Sequence, residues 1–290
     1  MLYRNYDLKN LEREYSPSSC VDDINIYIKQ YVERSDKATQ LAEQQGKVLK
    51  NLSYGDSADE MLDLFLPTVG NTKKLQVYIH GGYWQELSKD ESSFAATNFQ
   101  RHGCYFAVIN YSLAPNATMT EIVEQNRRAL AWLFENAERL GFNGNEIYLS
   151  GSSAGAHLAM MMLQTHWPDY LNNTQASAKS NLVKGVCAVS GIYDIEPIAL
   201  TYINEPLQLS AQEIDRCSPL RHDVINHCPV ILAYGEDETA EFKRQTAAIA
   251  ALVFEDVFEI PERNHFDVII DLADDGSWLC QQVFQQMAVA

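Results

Sequence analysis

The sequence predicts an α/β fold in which helices cover both faces of a mostly parallel β-sheet, within a single domain over residues 1–290. Apolar runs typical of interior strands alternate with segments of helical periodicity along most of the chain. Apolar residues make up 46% of the composition and charged residues 21%, which is enough material for one large core. A single sheet commonly organises a chain of this length, so one domain is the simpler prediction.

The first half of the chain supplies four predicted strands. Residues 1–50 are polar, and apolar side chains recur at helical spacing in VDDINIYIKQYVERS, so we expect a helical arm or part of a lid there. The strand-like segments that follow are MLDLFLP (61–67), LQVYIH (75–80), CYFAVINY (104–111) and NEIYLS (145–150). Helices are predicted over ESSFAATNFQRHG (91–103), which ends at Gly103, and over TEIVEQNRRALAWLFENAERLGF (120–142).

The second half continues the alternation. Its predicted elements are strands VKGVCAVSG (183–191), PVILAYG (229–235) and VFEI (257–260), helix AEFKRQTAAIAALV (240–253), and a closing helix within residues 272–290. An irregular polar stretch over residues 195–226 interrupts this rhythm. We interpret it as an insertion that contributes to a lid.

Charge and composition restrict the classes of partner. The formal net charge of −17 opposes binding to nucleic acid or to anionic membranes. The chain lacks a signal-like opening and any run near the ~20 apolar residues that span a bilayer, so we expect a cytoplasmic protein. Its six cysteines are scattered singly without metal-site spacing. We therefore expect a small-molecule substrate and no cofactor or metal, and the sequence leaves a homodimer open.

The segment YLSGSSAGAHLAM joins a predicted strand to a predicted helix through small residues. Gly151-Ser152-Ser153-Ala154-Gly155 fits G-x-S-x-G, a tight strand-to-helix turn that holds its middle serine above the sheet. A side chain at either glycine would collide with neighbouring backbone. An ordinary small-residue turn is the alternative, but the pattern favours Ser153 as a nucleophile.

A serine nucleophile needs a base and an orienting carboxylate. Of the seven histidines, only His265 follows the elbow and also a further strand and helix, so we predict that it is the base. We interpret His222 and His227 as solvent or lid residues. The loop after PVILAYG offers two adjacent carboxylates, Asp237 and Glu238, and spacing alone does not choose between them.

The segment VYIHGGYW predicts the donors that would stabilise an oxyanion. Its glycines let the backbone approach a substrate carbonyl, as in the H-G-G-G loops of esterases. We expect the N–H groups of Gly82, Tyr83 and Ala154 to form this site, with His80 as a structural anchor of the loop. Aromatic side chains suit a flat aryl or acyl group, and the candidates for the substrate wall are Tyr83, Trp84, Tyr193, Tyr202 and Phe266.

Five segments, HGGYW, GSSAGAHLA, SGIYDIEP, ETAEFKRQ and NHFDV, together resemble the kynurenine formamidase (arylformamidase) branch of the α/β-hydrolase fold, which neighbours the hormone-sensitive-lipase-like esterases. The resemblance runs from YGDSADEMLDLFLP to His265. It implies an eight-stranded, mostly parallel sheet, a small N-terminal lid and a metal-free serine mechanism. It also assigns the acid to Glu238, three residues after Gly235, with Asp237 as the alternative.

The resemblance implies a serine hydrolase that acts on an N-formyl arylamide similar to N-formyl-L-kynurenine. A glutamate in place of the aspartate of animal formamidases leaves a broad short-chain carboxylesterase as the alternative. A catalytically silent binding module is a third hypothesis, which the presence of every expected motif disfavours.

Overall fold

A computed structural model describes residues 1–172 and 181–289 of the chain. These residues form an eight-stranded sheet in the order β1-β2-β4-β3-β5-β6-β7-β8. β2 pairs antiparallel with both of its neighbours, β1 at the edge and β4 on the other side. All the remaining neighbours, from β4 through β3 to β8, pair in parallel. The strands are β1 (Val48–Ser53), β2 (Met61–Phe65), β3 (Leu75–Ile79), β4 (Tyr105–Ile109), β5 (Ile147–Ser152), β6 (Val183–Val189), β7 (Val230–Asp237) and β8 (Val257–Asn264).

Helices cover both faces of this sheet, and a separate apolar core lies on each face. The α-helices of the described residues are α1 (Leu8–Glu14), α2 (Ile24–Gln44), α3 (Ala96–Arg101), α4 (Met119–Leu140), α5 (Ala154–Met162), α6 (Asn204–Leu207), α7 (Ala211–Arg216), α8 (Ala240–Val253) and α9 (Trp278–Gln286). Within this part of the chain, no helix combines the length and hydropathy that a bilayer crossing needs. The predicted α/β-hydrolase fold is confirmed.

The structure differs from the sequence-based prediction in three places. β1 was not predicted, because its edge position leaves most of its side chains exposed and removes the apolar alternation that identifies a strand. The helix predicted over residues 91–103 is divided into a 3₁₀ turn at Asp90–Ser92 and α3. β8 continues four residues past the predicted VFEI, because an edge strand tolerates Pro261.

The parallel strands bring their carboxyl ends to one edge of the sheet. The turns after β3, β5, β7 and β8 therefore meet there. Two segments lie over this edge: the N-terminal arm, predicted as residues 1–50, whose last residues from Val48 instead begin β1, and the insertion, residues 195–226. The insertion contains short helices rather than the irregular chain that its polar sequence predicts.

Candidate active site

Ser153 lies between β5 and α5 with φ 56° and ψ −120°, a conformation that non-glycine residues rarely adopt. Hydrogen bonds to neighbouring backbone groups hold Ser153 in this conformation. The N–H of Ser153 donates to the carbonyl of Val189 at 2.9 Å, and its own carbonyl accepts from the N–H of His157 at 3.1 Å. The side chain is 8% exposed. Strain held in this way at a cavity edge is typical of a nucleophile elbow.

The two glycines of this turn are required by close contacts with neighbouring backbone. A Cβ at Gly151 would lie 2.5 Å from the backbone of Gly155. A Cβ at Gly155 would lie 2.0 Å from the carbonyl oxygen of Ile79, at the end of β3. These distances are far below van der Waals contact, so only glycine allows α5 to begin this close to the sheet.

His265 directly follows β8, and its imidazole contacts Glu238. The Nδ1–H donates to Oε2 of Glu238 at 2.9 Å. The other carboxylate oxygen, Oε1, accepts from the N–H of Gly235 at 2.7 Å and from the hydroxyl of Ser190 at 2.5 Å. Both side chains are almost fully buried. The glutamate therefore has donors on both oxygens, and it fixes the ring of His265 with Nε2 on the side away from the carboxylate.

The structure distinguishes the two carboxylates that the sequence left adjacent. Asp237 is the last residue of β7, where its backbone pairs with that of Asn264, and it is exposed. Glu238 is one residue further along, beyond the strand, and it is 8% exposed. The chain leaves the strand between the two residues, and of the two side chains it is the Glu238 carboxylate that contacts His265. The structure brings Glu238 there and leaves the alternative, Asp237, without that contact.

The loop after β3 lies against the elbow. A Cβ at Gly81 would lie 2.9 Å from the carbonyl oxygen of Ser152 and 3.4 Å from Cβ of Ser153. Gly82 and Tyr83 both have positive φ, 93° and 52°. Within the described residues, the N–H groups of Gly82, Tyr83 and Ala154 donate to no protein acceptor. These three candidate oxyanion donors are thus left available beside the serine.

A cavity of about 370 Å³ opens above the elbow, and Ser153 and His265 both line it. The N-terminal arm and the insertion contribute to its wall. Three of the predicted substrate-wall residues line it: Tyr83, Tyr202 and Phe266. Several further residues that line the cavity were not predicted from the sequence: Ile24, Ile28, Tyr31, Tyr78, Leu87 and Phe94. For the three in the arm, the helical spacing of apolar residues was a signal that could have found them.

Two predicted wall residues lie elsewhere. Trp84 is fully buried, and its ring packs edge-on against His157 at 4.9 Å, beneath the loop rather than in the cavity. Tyr193 is also fully buried, and its ring lies where a Cβ at Gly191 would be. The prediction of a substrate contact is wrong for both, because large aromatic side chains at the ends of buried strands also fill the core.

His80 lines the cavity but is held as a loop residue. Its Nδ1 lies 2.9 Å from the carbonyl oxygen of Gly81, and its ring stacks on that of Tyr111 at 4.1 Å. Burial lowers the pKa of His80 to about 4, so the ring is neutral at physiological pH.

His222 and His227 do not line this cavity. Among the described residues, no group of three or more His, Cys, Asp or Glu side chains could hold a metal ion.

Comparison with known proteins agrees with this geometry. The BD-FAE family model matches residues 62–250. A kynurenine formamidase of Salmo salar is 33% identical over 98% of this chain and 98% of its own length, and one of Danio rerio is 34% identical over 96% and 95%. A solved structure from Silicibacter sp. TM1040, described as a thioesterase, superposes with a TM-score of 0.81 at 28% identity and covers 96% of this chain and 98% of its own. The chain is therefore a hydrolase, and it belongs to the kynurenine formamidase family of α/β-hydrolases.

Proposed function

We propose that this chain removes the formyl group from an N-formyl arylamide, such as N-formyl-L-kynurenine, through a Ser153–His265–Glu238 triad and an acyl-enzyme. One arrangement carries the proposal: Ser153 and His265 line a single cavity, and Glu238 holds the histidine from the side opposite Nε2. The names of the relatives from Salmo salar and Danio rerio support the choice of a formamide.

The proposed cycle needs no group beyond those of the chain and water. Nε2 of His265 takes the proton of Ser153 as the serine oxygen attacks the formyl carbon. The N–H groups of Gly82, Tyr83 and Ala154 stabilise the oxyanion, each contributing on the order of 10² to 10³ in rate. The C–N bond then breaks, and His265 protonates the departing arylamine. Water activated by His265 attacks the formyl ester of the serine and releases formate.

The cavity wall supports an aromatic leaving group. A formyl group is small, so discrimination between substrates depends on how the rest of the molecule meets the wall. Aromatic rings from the sheet, the N-terminal arm and the histidine loop supply flat apolar surface there. Those rings belong to Tyr31, Tyr78 and Phe266, and further rings come from the loop after β3, the segment before α3 and the insertion: Tyr83, Phe94 and Tyr202.

A substrate panel tests the proposal. We expect kcat/KM for N-formylkynurenine to equal or exceed the values for p-nitrophenyl acetate and butyrate. A formamide value lower by orders of magnitude would replace the formamidase with the broad short-chain carboxylesterase. A fluorophosphonate probe tests the nucleophile separately. We expect it to label the native enzyme but not Ser153→Ala, and a native chain that resists labelling would favour the silent binding module.

A further inference from the structure

The histidine loop, residues 264–266 at the end of β8, is attached to the N-terminal arm on both sides of His265. The side-chain amide of Asn264 donates to the hydroxyl of Tyr27 at 2.9 Å. On the other side, the hydroxyl of Tyr31 donates to the carbonyl of Phe266. Tyr27 also stacks on the ring of Phe266, with 5.7 Å between centroids. Two tyrosines one helical turn apart on α2 therefore hold the residues directly before and after the imidazole.

These contacts have the properties of a rigid support. Tyr31 is 7% exposed, and its ring stacks on Phe94 at 5.8 Å. The residues of α2 that bury their side chains recur at helical spacing, so one face of this 21-residue helix lies against the body of the protein. Within the loop, Oδ1 of Asn264 also accepts from the N–H of Phe266 at 2.9 Å. A shift of α2 would consequently move the whole turn that carries His265.

The acid holds only one edge of the imidazole. Glu238 sets the direction of Nδ1, and the ring of Phe242 packs edge-on against the imidazole at 4.5 Å, but neither contact fixes the backbone that carries the ring. The position of the backbone at residue 265 decides where Nε2 lies relative to Ser153. In the structure, α2 is the element that contacts the side chain before this backbone position and the carbonyl after it.

We propose that Tyr27 and Tyr31 are positioning residues, which place His265 for proton transfer, so that the N-terminal arm belongs to the catalytic apparatus as well as to the cavity wall. The proposal rests on the proposed function, in which His265 is the base. It predicts that removing either hydroxyl lowers the rate of the chemical step and leaves binding of the substrate nearly unchanged.

The first experiment removes single hydroxyls. We expect Tyr31→Phe to lower kcat about tenfold with KM within about twofold, since displacing a reacting group by ~1 Å can cost as much as 10²-fold. Tyr27→Phe, at a less buried position, is the milder variant and should show the same pattern. Tyr105→Phe is the matched control. Its buried hydroxyl donates to the carbonyl of Gly141 at 3.0 Å, at the start of β4 and far from the carboxyl-end edge.

A double-mutant cycle separates positioning from general destabilisation. With p-nitrophenyl acetate, whose leaving group needs little assistance, the residual rate of His265→Ala can be measured. If Tyr31 acts through the imidazole, adding Tyr31→Phe to His265→Ala should leave that rate within about twofold. A merely structural role would lower the rate by the same factor in both backgrounds.

The outcomes are distinguishable. Native kcat in both tyrosine variants, or an equal loss in Tyr105→Phe, would overturn the positioning role while leaving the triad intact. An equal loss from Tyr31→Phe with and without His265 would also overturn it. Near-native activity of His265→Ala would instead refute the proposed function itself.

Discussion

Glu238→Gln is the most informative single change, because the amide preserves the shape of the side chain and alters only its donors and acceptors. Among the described residues, Oε1 accepts from two donors, the N–H of Gly235 and the hydroxyl of Ser190, whereas Oε2 accepts from Nδ1–H of His265 alone. The amide oxygen of a glutamine will therefore occupy the Oε1 position. Its NH₂ group then faces Nδ1.

That arrangement changes the tautomer of His265. An NH₂ group can only donate, so Nδ1 must accept and the ring proton moves to Nε2. A protonated Nε2 cannot take the proton of Ser153. The opposite orientation of the amide would restore the tautomer but turn the NH₂ group toward the N–H of Gly235, which can only donate, at a cost of about 1–3 kcal/mol for each buried unsatisfied group. The hydroxyl of Ser190 could rotate to accept and would not add to this cost. The loss of the charge that stabilises the imidazolium adds to either cost.

We expect Glu238→Gln to lower kcat by on the order of 10³ to 10⁴, equivalent to about 4–5.5 kcal/mol of transition-state stabilisation. Steady-state kinetics with N-formylkynurenine and p-nitrophenyl acetate measure the change. Asp237→Asn is the matched control, since it makes the same chemical change at the exposed neighbouring carboxylate, and kcat should stay within about twofold. A tenfold or smaller loss in Glu238→Gln, or a comparable loss in Asp237→Asn, would refute the reasoning.

Three further outcomes are expected. Ser190→Ala removes one donor to the carboxylate of the acid and should lower kcat about tenfold with little change in KM; unchanged kinetics would show that the backbone donor suffices. Gly155→Ala should abolish folding or lower stability by at least about 3 kcal/mol in urea titrations, because its Cβ would meet the carbonyl of Ile79 at 2.0 Å, whereas a native midpoint would contradict the packing described. Burial lowers the pKa values of His80 and His157 to about 4. Below about pH 6.5 the unfolded chain therefore binds protons that the folded chain does not, and the free energy of unfolding should fall by up to about 3 kcal/mol for each histidine as the pH approaches 4. Urea midpoints measured from pH 7.5 to 4.5 should fall accordingly, and a flat profile would contradict the neutral buried rings.

Local sequence patterns predicted most of the fold because the interior strands and long helices carry their own signal. β3 and β4 are buried at every position, and α4 shows helical apolar spacing over 22 residues. β1 carries no such signal, since it is an edge strand with most of its residues exposed. The short helices of the insertion were also missed, because each is too short for its periodicity to register.

The candidate site was predicted unevenly for a related reason. The residues proposed to carry the chemistry, such as Ser153 and His265, lie in short motifs whose residue types reflect local backbone geometry. The cavity wall instead depends on which distant segments fold over the sheet edge. Burial of Trp84 and Tyr193 and the contribution of Tyr31 follow from tertiary packing, which aromatic residue type alone does not reveal.

The contacts between α2 and the histidine loop join residues 235 and 237 positions apart in the chain. Closing loops this large costs more conformational entropy than closing the short connections between strands that are near neighbours in sequence, although the cost grows only with the logarithm of loop length. Under the proposed positioning role, a chain whose sheet had formed before α2 docked would contain the proposed reactive groups but not yet their alignment.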